Sequence, residues 1–425
     1  MKIHIDLDAF FVAAERTEEP SLCHKPVGIG GRGDQSIFAS QSGHQSLNLE
    51  NSGAFVGTFF QTYHAQSDDM QRFIDPDGRV RGILTTSSYE ARAFGIHTGM
   101  SIREALQRCP ELIVKAPNMQ LYQRLSRQLH TFLQHRIPLI EQASIDEFYG
   151  DLSGWVADDD LPCFIDMLRH EIKRSLDLPV SIGAAQTKFI AKLATGQAKP
   201  FGCRTITSQN FASFIEAIPV KEFPGIGRSM QHRLKEYRIG TLGELIRSRS
   251  LVESWGPYAK ELYRRVSAMD HTEVTPDQVR KSIGISRTFD PERERAEMRR
   301  RIIILARHLA YAIMRIGVIP TTFHVGIRYE LRQHSHANIT QNRLFNEKWF
   351  KDLVLSLFYK ADRYRTLQII RLSISCSHFT SNSRRELSLI DFEKDSVQRH
   401  LSMRTQKVRD KYGLDILRWG SEMEI

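Results

Sequence analysis

Paired cysteines and long apolar runs are both missing from this sequence. No stretch comes near the ~20 uncharged apolar residues that a membrane-spanning helix needs. Asp6 stands where a signal peptide would need its apolar run, so we expect a cytoplasmic protein. The five cysteines are scattered with no Cys-x-x-Cys pair, which argues against a zinc site and a disulfide framework and predicts reduced thiols.

Basic charge is concentrated in one segment. The 425 residues carry 59 Lys and Arg against 49 Asp and Glu, a formal balance of +10. Residues 281–385 alone carry 20 basic and 8 acidic side chains, net +12, which leaves −2 for the other 320 residues. Because a Lys or Arg on a phosphate releases condensed counterion, this segment favours nucleic acid as a partner; the alternative is a solvated basic surface. The length predicts two to four domains.

Strands and helices alternate in the first half of the chain, which predicts an α/β or α+β core. Lys2–Asp8 alternates apolar and polar residues, the pattern of a half-buried strand, and puts acids at its C-terminal end. Ala9–Glu15 then begins a helix. Further strands are predicted at 26–31, 81–86, 144–152 and 180–184, and helices at 101–109, 120–135 and 188–199.

The second half is predicted to be mostly helical from Thr207 to a polar linker at 270–279. The basic segment after it is predicted as a small α+β domain, followed by a polar tail with a helix at Asp395–Tyr412. The strands of that domain are expected at 282–289, 321–330 and 367–377, and its helices at 293–316 and 346–360.

Residues 32–80 are rich in Ser, Gln and Gly and show no sustained period. A segment of this length without regular structure is unusual inside a compact domain, so we predict an exposed excursion or an insertion. Its short apolar patch, residues 54–60, predicts that the segment docks on some surface.

Three carboxylates have the distribution of a two-metal phosphoryl-transfer site. Asp6 ends one strand, and Asp146 and Glu147 are adjacent on a distant one. Hard divalent ions prefer oxygen ligands, and two Mg²⁺ ions ~3.5–4 Å apart can clamp the attacking and leaving oxygens of an in-line displacement. Strand alternation puts Asp6 and Asp8 on one face, whereas Asp146 and Glu147 should diverge unless the strand bends or turns. Taken alone, each acidic pair is weak evidence.

Neighbouring motifs supply groups that bind phosphate. Tyr89 and Arg92 stand three residues apart, on one face of a predicted helix, where a hydroxyl and a planar guanidinium can grip a triphosphate together. Lys199, just before a proline at a helix end, is a third candidate. The alternative is an amphipathic surface helix and a lysine that interacts with a helix dipole.

Four motifs in this order resemble the Y-family translesion DNA polymerases, closest to the bacterial polymerase IV type. They are Ile5–Phe11, Tyr89–Ile96, Ser144–Glu147 and Ala198–Gly202. The resemblance extends over about residues 1–31 and 81–385. It implies an α+β multidomain right-hand polymerase with a palm of mixed sheet and helices, fingers, a helical helix-hairpin-helix thumb and an α+β little finger.

The resemblance implies a role for each acidic residue. Asp6, Asp146 and Glu147 would be catalytic and would ligate two Mg²⁺ ions, with the main-chain carbonyl of Leu7 assisting. Asp8 matches the motif but is not usually a ligand. The family places Asp146 and Glu147 at a hairpin, which answers the objection that they should diverge.

The resemblance also implies a nucleotide site. Thr86, Tyr89, Arg92 and Lys199 would hold the incoming triphosphate. Phe11 would be the steric gate that occupies the space of a ribose 2′-hydroxyl and so selects deoxynucleotides. Phe10 is equally bulky, and one of the two rings must pack inward.

DNA contacts are expected in the thumb and the little finger. Residues 223–227 resemble a helix-hairpin-helix, in which Gly225 and Gly227 let backbone N–H groups approach a phosphate. The basic segment that contains Arg287 resembles the little finger, which grips duplex backbone. Glu386–Ile390 stands where bacterial members carry a sliding-clamp peptide, but both anchor positions depart from it. Leu387 and Leu389 remain as candidate contacts for the clamp. The alternative is that the two leucines belong to a strand of the tail or dock it on the protein.

The resemblance implies these domains: palm 1–9 and 117–206, fingers 10–116 with the insertion at about 32–80, thumb 207–275, little finger 281–385 and tail 386–425. The predicted function is template-directed, low-fidelity addition of deoxynucleotides opposite damaged DNA, in DNA repair and the SOS response. Expected partners are primer-template DNA, deoxynucleoside triphosphates and a sliding clamp, with no membrane, and we expect a monomer. The insertion would cover the nascent base pair, bind a partner or be inert. A non-catalytic, clamp-tethered accessory protein and a two-metal nuclease are the alternatives.

Overall fold

The computed structural model describes residues 1–32, 36–38, 45–47, 59–61, 69–75, 77–276, 279–380 and 389–423. They form two compact units. One contains residues 1–30 and 69–276, and the other contains the described residues from 31 to 61 together with 279–423. No helix in these ranges is both long and apolar enough to span a membrane. The apolar patch at 54–60 and the clamp-like peptide at 386–390 lie almost wholly outside the described residues.

The strands are β1 (Lys2–Leu7), β2 (Val27–Gly31), β3 (Gln45–Leu47), β4 (Phe59–Gln61), β5 (Ile83–Ser87), β6 (Ile113–Lys115), β7 (Leu139–Gln142), β8 (Glu147–Asp151), β9 (Val180–Ala185), β10 (Cys203–Thr205), β11 (Ser282–Glu292), β12 (Pro320–Tyr329), β13 (His334–Thr340) and β14 (Ile369–Phe379). The helices are α1 (Phe10–Glu18), α2 (Tyr89–Ala93), α3 (Ile102–Arg108), α4 (Met119–Gln134), α5 (Leu161–Leu176), α6 (Lys188–Ala198), α7 (Phe211–Glu216), α8 (Arg228–Glu236), α9 (Leu242–Arg247), α10 (Arg249–Glu253), α11 (Pro257–Val266), α12 (Arg295–Ile316), α13 (Glu347–Ala361) and α14 (Leu389–Tyr412).

The first unit is built on a five-stranded sheet in the order β10-β9-β1-β8-β7. Strand β1 lies at its centre and pairs antiparallel with both β8 and β9. Helix α6 lies so close to β9 that a Cβ at Gly183 would come within 2.2 Å of the Ala191 carbonyl oxygen, so only glycine fits there. This close packing fixes the lysines of α6 over the end of β1.

A second sheet in this unit has the order β5-β2-β6 and carries α2 at its end. The Ser88 hydroxyl caps α2 by accepting from the Ala91 N–H, which sets the direction in which Tyr89 leaves the sheet. The last part of the insertion packs on β2, because a Cβ at Gly30 would lie 2.4 Å from the Phe73 ring. Helices α7 to α11 follow, and their apolar core continues into α6.

The second unit contains the antiparallel sheet β11-β14-β12-β13, with α12 and α13 packed on one face. Strand β13 was not predicted. Ile37 and Phe38, from the start of the insertion, belong to the core of this unit, and the Phe38 ring meets Phe289 edge to face at 5.9 Å. The insertion is therefore ordered at this point rather than being an excursion throughout.

The C-terminal tail is a docked layer of the second unit. Its helix is confirmed and begins before the predicted Asp395. Glu422 is buried and accepts twice from Arg307 of α12 at 2.9 Å, and Asp415 accepts from the same guanidinium at 2.6 Å. Arg409 makes a buried pair with Glu347 of α13 at 2.7 Å. Buried ion pairs of both polarities thus hold the tail against α12 and α13.

Candidate active site

The predicted acidic residues meet at one end of the central sheet. In the register of β1 and β8, Asp6 lies directly opposite Glu147. The run 144–152, predicted as a strand with its carboxylates in the middle, is a strand only from Glu147 onward, and that part of the prediction is wrong. Residues 143–146 turn from β7 into β8, and the Leu7 N–H donates to the Asp146 carbonyl at 3.0 Å. The turn puts Glu147 opposite Asp6 and brings the main chain of Asp146 against Leu7.

Two lysines neutralise these carboxylates. Lys192 of α6 donates to both oxygens of Glu147 at 2.7 Å, and Lys199 pairs with Asp6. Burial raises the pKa of Asp6 to about 7 although Lys199 opposes the change. Burial also raises the pKa of Asp146, whose Oδ1 accepts from the Ser144 hydroxyl at 2.5 Å. Three carboxylates therefore lie in the site, and two of them, Glu147 and Asp6, are each paired with a lysine.

His4 is a neighbour that the sequence prediction missed. Ligand atoms of His4, Asp6 and Glu147 all lie within 4.8 Å of one another, and Asp146 is outside this group. Nδ1 of His4 lies 3.0 Å from the Thr195 hydroxyl, and burial holds the pKa of the ring well below its usual range. Strand alternation carried the signal, because residues 4 and 6 of one strand share a face.

The donor set fits divalent metal ions. Asp6, Asp146 and Glu147 offer carboxylate oxygens, the ligands that Mg²⁺ prefers. Burial raises the pKa of Asp6 and of Asp146, and a divalent cation bound between them would stabilise their ionised forms. A pocket of about 330 Å³ opens at Asp6 and is lined also by Lys192, Lys199 and the residues Glu222 and Pro224.

Asp8 joins three elements. It is buried beyond the end of β1, and its carboxylate accepts from the Tyr89 hydroxyl at 3.2 Å, from Ser181 at 2.8 Å and from the Phe201 N–H at 2.8 Å. Tyr89 begins α2, and Phe201 follows Lys199 by two residues. All three contacts are to groups that donate to the Asp8 carboxylate.

The candidate triphosphate groups lie on two sides of Asp8. The Arg92 guanidinium stands 4.6 Å from the Tyr89 ring centre, and its Nε donates to the Ser87 carbonyl at 3.1 Å. Burial raises the pKa of the Tyr89 hydroxyl, which stays protonated and able to donate. Thr86 is half-buried on β5 one residue before Ser87. Lys199 reaches the site from the end of α6.

The two adjacent phenylalanines have different surroundings. Phe10 is buried in the core under the central sheet. Phe11 is half-buried, and its ring stacks on Tyr122 at 4.4 Å with an angle of 10° between the planes. The ring that packs inward is therefore Phe10, which leaves Phe11 as the candidate gate.

The helix-hairpin-helix glycines form the turn before α8. Gly225 has a φ of +98°, a conformation that favours glycine, and its carbonyl accepts from the Tyr258 hydroxyl at 2.5 Å. Gly227 is the N-cap of α8, so free backbone N–H groups of the first turn follow it. This arrangement can receive a phosphate.

Arg287 lies on the face of the second sheet that the helices cover. Along β11 it points to the same side as the buried Ile283, Ile285 and Phe289. Burial lowers the pKa of His308 of α12, and the charge of Arg287 adds a smaller effect in the same direction. The open face of the same sheet presents Arg328 and Arg371 instead. Leu387 and the side chain of Leu389 lie outside the described residues.

The chain matches known polymerases over most of its length. A model of the impB/mucB/samB family matches residues 5–196, and a model of the C-terminal domain of that family matches residues 280–389. DNA polymerase IV of Glaesserella parasuis is 31% identical over 298 residues, 68% of this chain and 69% of the relative. DNA polymerase IV of Streptococcus suis is 30% identical over 331 residues, 77% of this chain and 81% of the relative.

Solved structures confirm the fold. A Y-family DNA polymerase chimera of Dbh and Dpo4 superposes with a TM-score of 0.69 at 21% identity, covering 90% of this chain and 99% of the chimera. The insertion ternary complex of Dbh DNA polymerase gives 0.56 at 20% identity over the same shares. The multidomain α+β polymerase fold predicted from the sequence is thus present.

With these relatives, the fold and the acidic site define a DNA-directed DNA polymerase of the translesion class. The chain belongs to the impB/mucB/samB family of Y-family DNA polymerases, beside the DNA polymerase IV enzymes. Members of this family act in DNA repair and depend on divalent metal ions, which agrees with the donor set described above.

Proposed function

We propose that this chain adds deoxynucleotides one at a time to a primer 3′ end opposite damaged template bases, in the SOS response of the cell. The observation that carries the proposal is that Asp6 of β1 lies opposite Glu147 of β8. Each of the two carboxylates pairs with a lysine, Lys199 and Lys192 respectively. Carboxylates held rigidly at a strand end, with cationic groups beside them, suit nucleotidyl transfer. Substrates would be primer-template DNA and deoxynucleoside triphosphates.

Asp6, Asp146, Glu147 and the Leu7 carbonyl would hold two Mg²⁺ ions. When bound, these ions supply charge neutralisation on the transferred phosphate and activation of the primer 3′-oxygen. Lys192 and Lys199, which pair with Glu147 and Asp6, would lie beside the transferred phosphate and could bind its oxygens.

The triphosphate would be held by Thr86, Tyr89, Arg92 and Lys199. Stacking over the Tyr89 ring fixes the Arg92 guanidinium before the substrate arrives. The Tyr89 hydroxyl donates its single proton to Asp8 in the structure, and this proton would turn to a phosphate oxygen when the triphosphate binds. Groups fixed in this way lose less conformational freedom when substrate binds. Phe11, supported by its stack on Tyr122, would exclude a ribose 2′-hydroxyl.

DNA would be held by backbone and by basic side chains. The N–H groups after Gly225 and Gly227 would bind a phosphate of the duplex. On the second unit we propose Arg328 and Arg371 of the open sheet face in place of Arg287, because the latter lies on the covered side. Around these arginines the open face carries mainly Ser, Thr and Gly, together with the stacked rings of His324 and His336.

The predicted domain boundaries remain proposals. The five-stranded sheet supports a palm at 1–9 and 117–206, the β5-β2-β6 sheet supports fingers at 10–116, and helices α7 to α11 support a thumb at 207–275. The little finger is proposed at 281–385 with residues 389–423 added as a docked layer. A cytoplasmic monomer that uses a sliding clamp through Leu387 and Leu389 is also retained as a proposal.

Primer extension tests this function. The purified chain is incubated with Mg²⁺, deoxynucleotides and either an undamaged or an abasic template. We expect extension on both templates, and loss of extension in Asp146→Ala. Equal extension by Asp146→Ala would overturn the assignment of the site, and no extension by the wild-type chain would overturn the proposed reaction.

A further inference from the structure

Helix α14 of the tail has its polar face turned inward. Asp395, Ser402 and Arg409 follow one another at intervals of seven residues, which places them on one side of the helix, and all three are buried. Asp395 accepts from Arg343 at 2.6 Å, and Ser402 accepts from the Glu347 N–H at 3.1 Å. Polar contacts therefore hold the helix against the second unit.

The outward face of the same helix carries apolar side chains. Val397, Leu401, Val408 and Tyr412 are 66%, 56%, 38% and 60% exposed. Their spacing of four, seven and four residues puts them along one side of the helix, about 110° around its axis from the buried polar residues. At a rise of 1.5 Å per residue, this apolar stripe is ~22 Å long.

The inward contacts fix which face points outward. Turning α14 to bury the apolar stripe would break the pair between Arg409 and Glu347, whose side chains are 4% and 6% exposed. Leaving one member of a buried pair without its partner is strongly destabilising. The apolar stripe is therefore presented by the fold, and a row of exposed apolar side chains on a rigid element marks an interaction surface.

Charge beside the stripe selects the kind of partner. Lys394, Arg404, Lys407 and Lys411 are exposed on this side of α14, against a single exposed acid, Glu393. A second copy of the chain would bring the same basic flank against this one, so like charges would oppose self-pairing. A partner with carboxylates at the edges of an apolar seam would complement both features.

We propose that the outward face of α14 is the docking surface for an acidic amphipathic helix of another protein. Its apolar seam would pack along Val397, Leu401, Val408 and Tyr412, and its Asp or Glu side chains would pair with Arg404, Lys407 and Lys411. This surface lies on the tail, apart from the catalytic residues, and it does not depend on the proposed nucleotidyl transfer.

A designed peptide tests the surface on the full-length protein. The probe is a fluorescein-labelled helix of about 28 residues, four heptads, with Leu at a and d and Glu at e and g. Fluorescence anisotropy should show saturable binding to the wild-type chain. Leu401→Glu and the double change Lys407→Glu with Lys411→Glu should each weaken it about tenfold or more. Met167→Glu, at an exposed apolar position of α5, is the matched control and should bind as the wild type does.

Other outcomes would overturn the proposal. One is the absence of saturable peptide binding to the wild-type chain. A second is that a peptide with Lys at e and g binds as tightly as the peptide with Glu. A third is that Leu401→Glu binds the peptide as tightly as the wild type while its thermal unfolding is unchanged. A concentration-dependent dimer in sedimentation velocity that Leu401→Glu abolishes would assign the surface to a second copy. Binding to phosphatidylserine vesicles without binding to the peptide would assign it to a lipid surface.

Discussion

The contacts of Asp8 give the sharpest prediction about catalysis. Its carboxylate accepts from Tyr89, Ser181 and the Phe201 N–H, and so connects α2 and the segment after Lys199 to the end of β1. In Asp8→Asn the side-chain amide keeps one oxygen that can accept. Its NH₂ group would face hydroxyl and N–H groups that also donate, so some of these bonds would be lost. We expect Tyr89 and Lys199 to lose their fixed positions while the acidic residues keep theirs.

The size of the effect follows from the bonds that change. A hydrogen bond to a charged group contributes about 1.5–3 kcal/mol. Loss of one such bond on the triphosphate side corresponds to a decrease of about tenfold to a hundredfold in kcat/KM for the nucleotide. The loss should appear mainly in KM, because these groups would bind the triphosphate in the ground state as well as in the transition state.

Steady-state single-nucleotide incorporation measures this effect, with primer-template affinity recorded on the same samples. Asp151→Asn is the matched control, since Asp151 lies at the far end of β8 and accepts from the Ser153 N–H at 2.9 Å. An unchanged KM for the nucleotide in Asp8→Asn would refute the reasoning. A decrease in kcat/KM that is no larger than the decrease in Asp151→Asn would also refute it.

Three further predictions concern the gate, the acidic cluster and the tail. Phe11→Ala should admit ribonucleotides, whereas Phe10→Ala, in the core, should lower stability instead; unchanged sugar discrimination in Phe11→Ala would place the gate elsewhere. Without metal, Asp6→Asn should be more stable than the wild type at pH 8 and should lose this advantage toward pH 4. The reason is that the pKa of Asp6, raised to about 7, makes ionisation of Asp6 destabilise the folded state as the pH rises. In the same urea unfolding experiments Asp151→Asn should be less stable than the wild type at pH 8, because bonds from Ser153 lower the pKa of the Asp151 carboxyl although burial opposes the change. Glu422→Gln should lower the free energy of unfolding by about 3 kcal/mol and expose the tail to proteolysis. This is the lower end for breaking a buried pair, because Arg307 keeps its pair with Asp415. Glu253→Gln, in a more exposed pair at 3.1 Å, should lower it by about 1 kcal/mol or less, and equal losses in the two variants would contradict this ranking.

The sequence predicted most elements that have strong local patterns. The alternation in Lys2–Asp8 gave β1, and the acids at its end gave the site. Strand β13 was missed because His334–Thr340 is nearly all polar on its open face and has few apolar residues to show a period. The turn before Glu147 was likewise hidden, since a continuous strand-like run covers it.

Contacts between distant parts of the chain could not be read from the sequence. The docking of the tail depends on Arg307, Glu347 and their partners in the last forty residues, and no local rule pairs them. The same holds for Phe38, which enters the core of the second unit from the insertion, and for Lys192, whose place over Glu147 follows from the packing of α6 on the central sheet.

The most direct test of the central claim is single-turnover incorporation of one deoxynucleotide by the wild-type chain and by Asp146→Ala, with primer-template binding measured for both proteins. We predict that the wild-type chain extends the primer in Mg²⁺, and that Asp146→Ala binds the same DNA with similar affinity and does not extend it. Extension by Asp146→Ala at the wild-type rate, or DNA binding without extension by both proteins, would contradict the account.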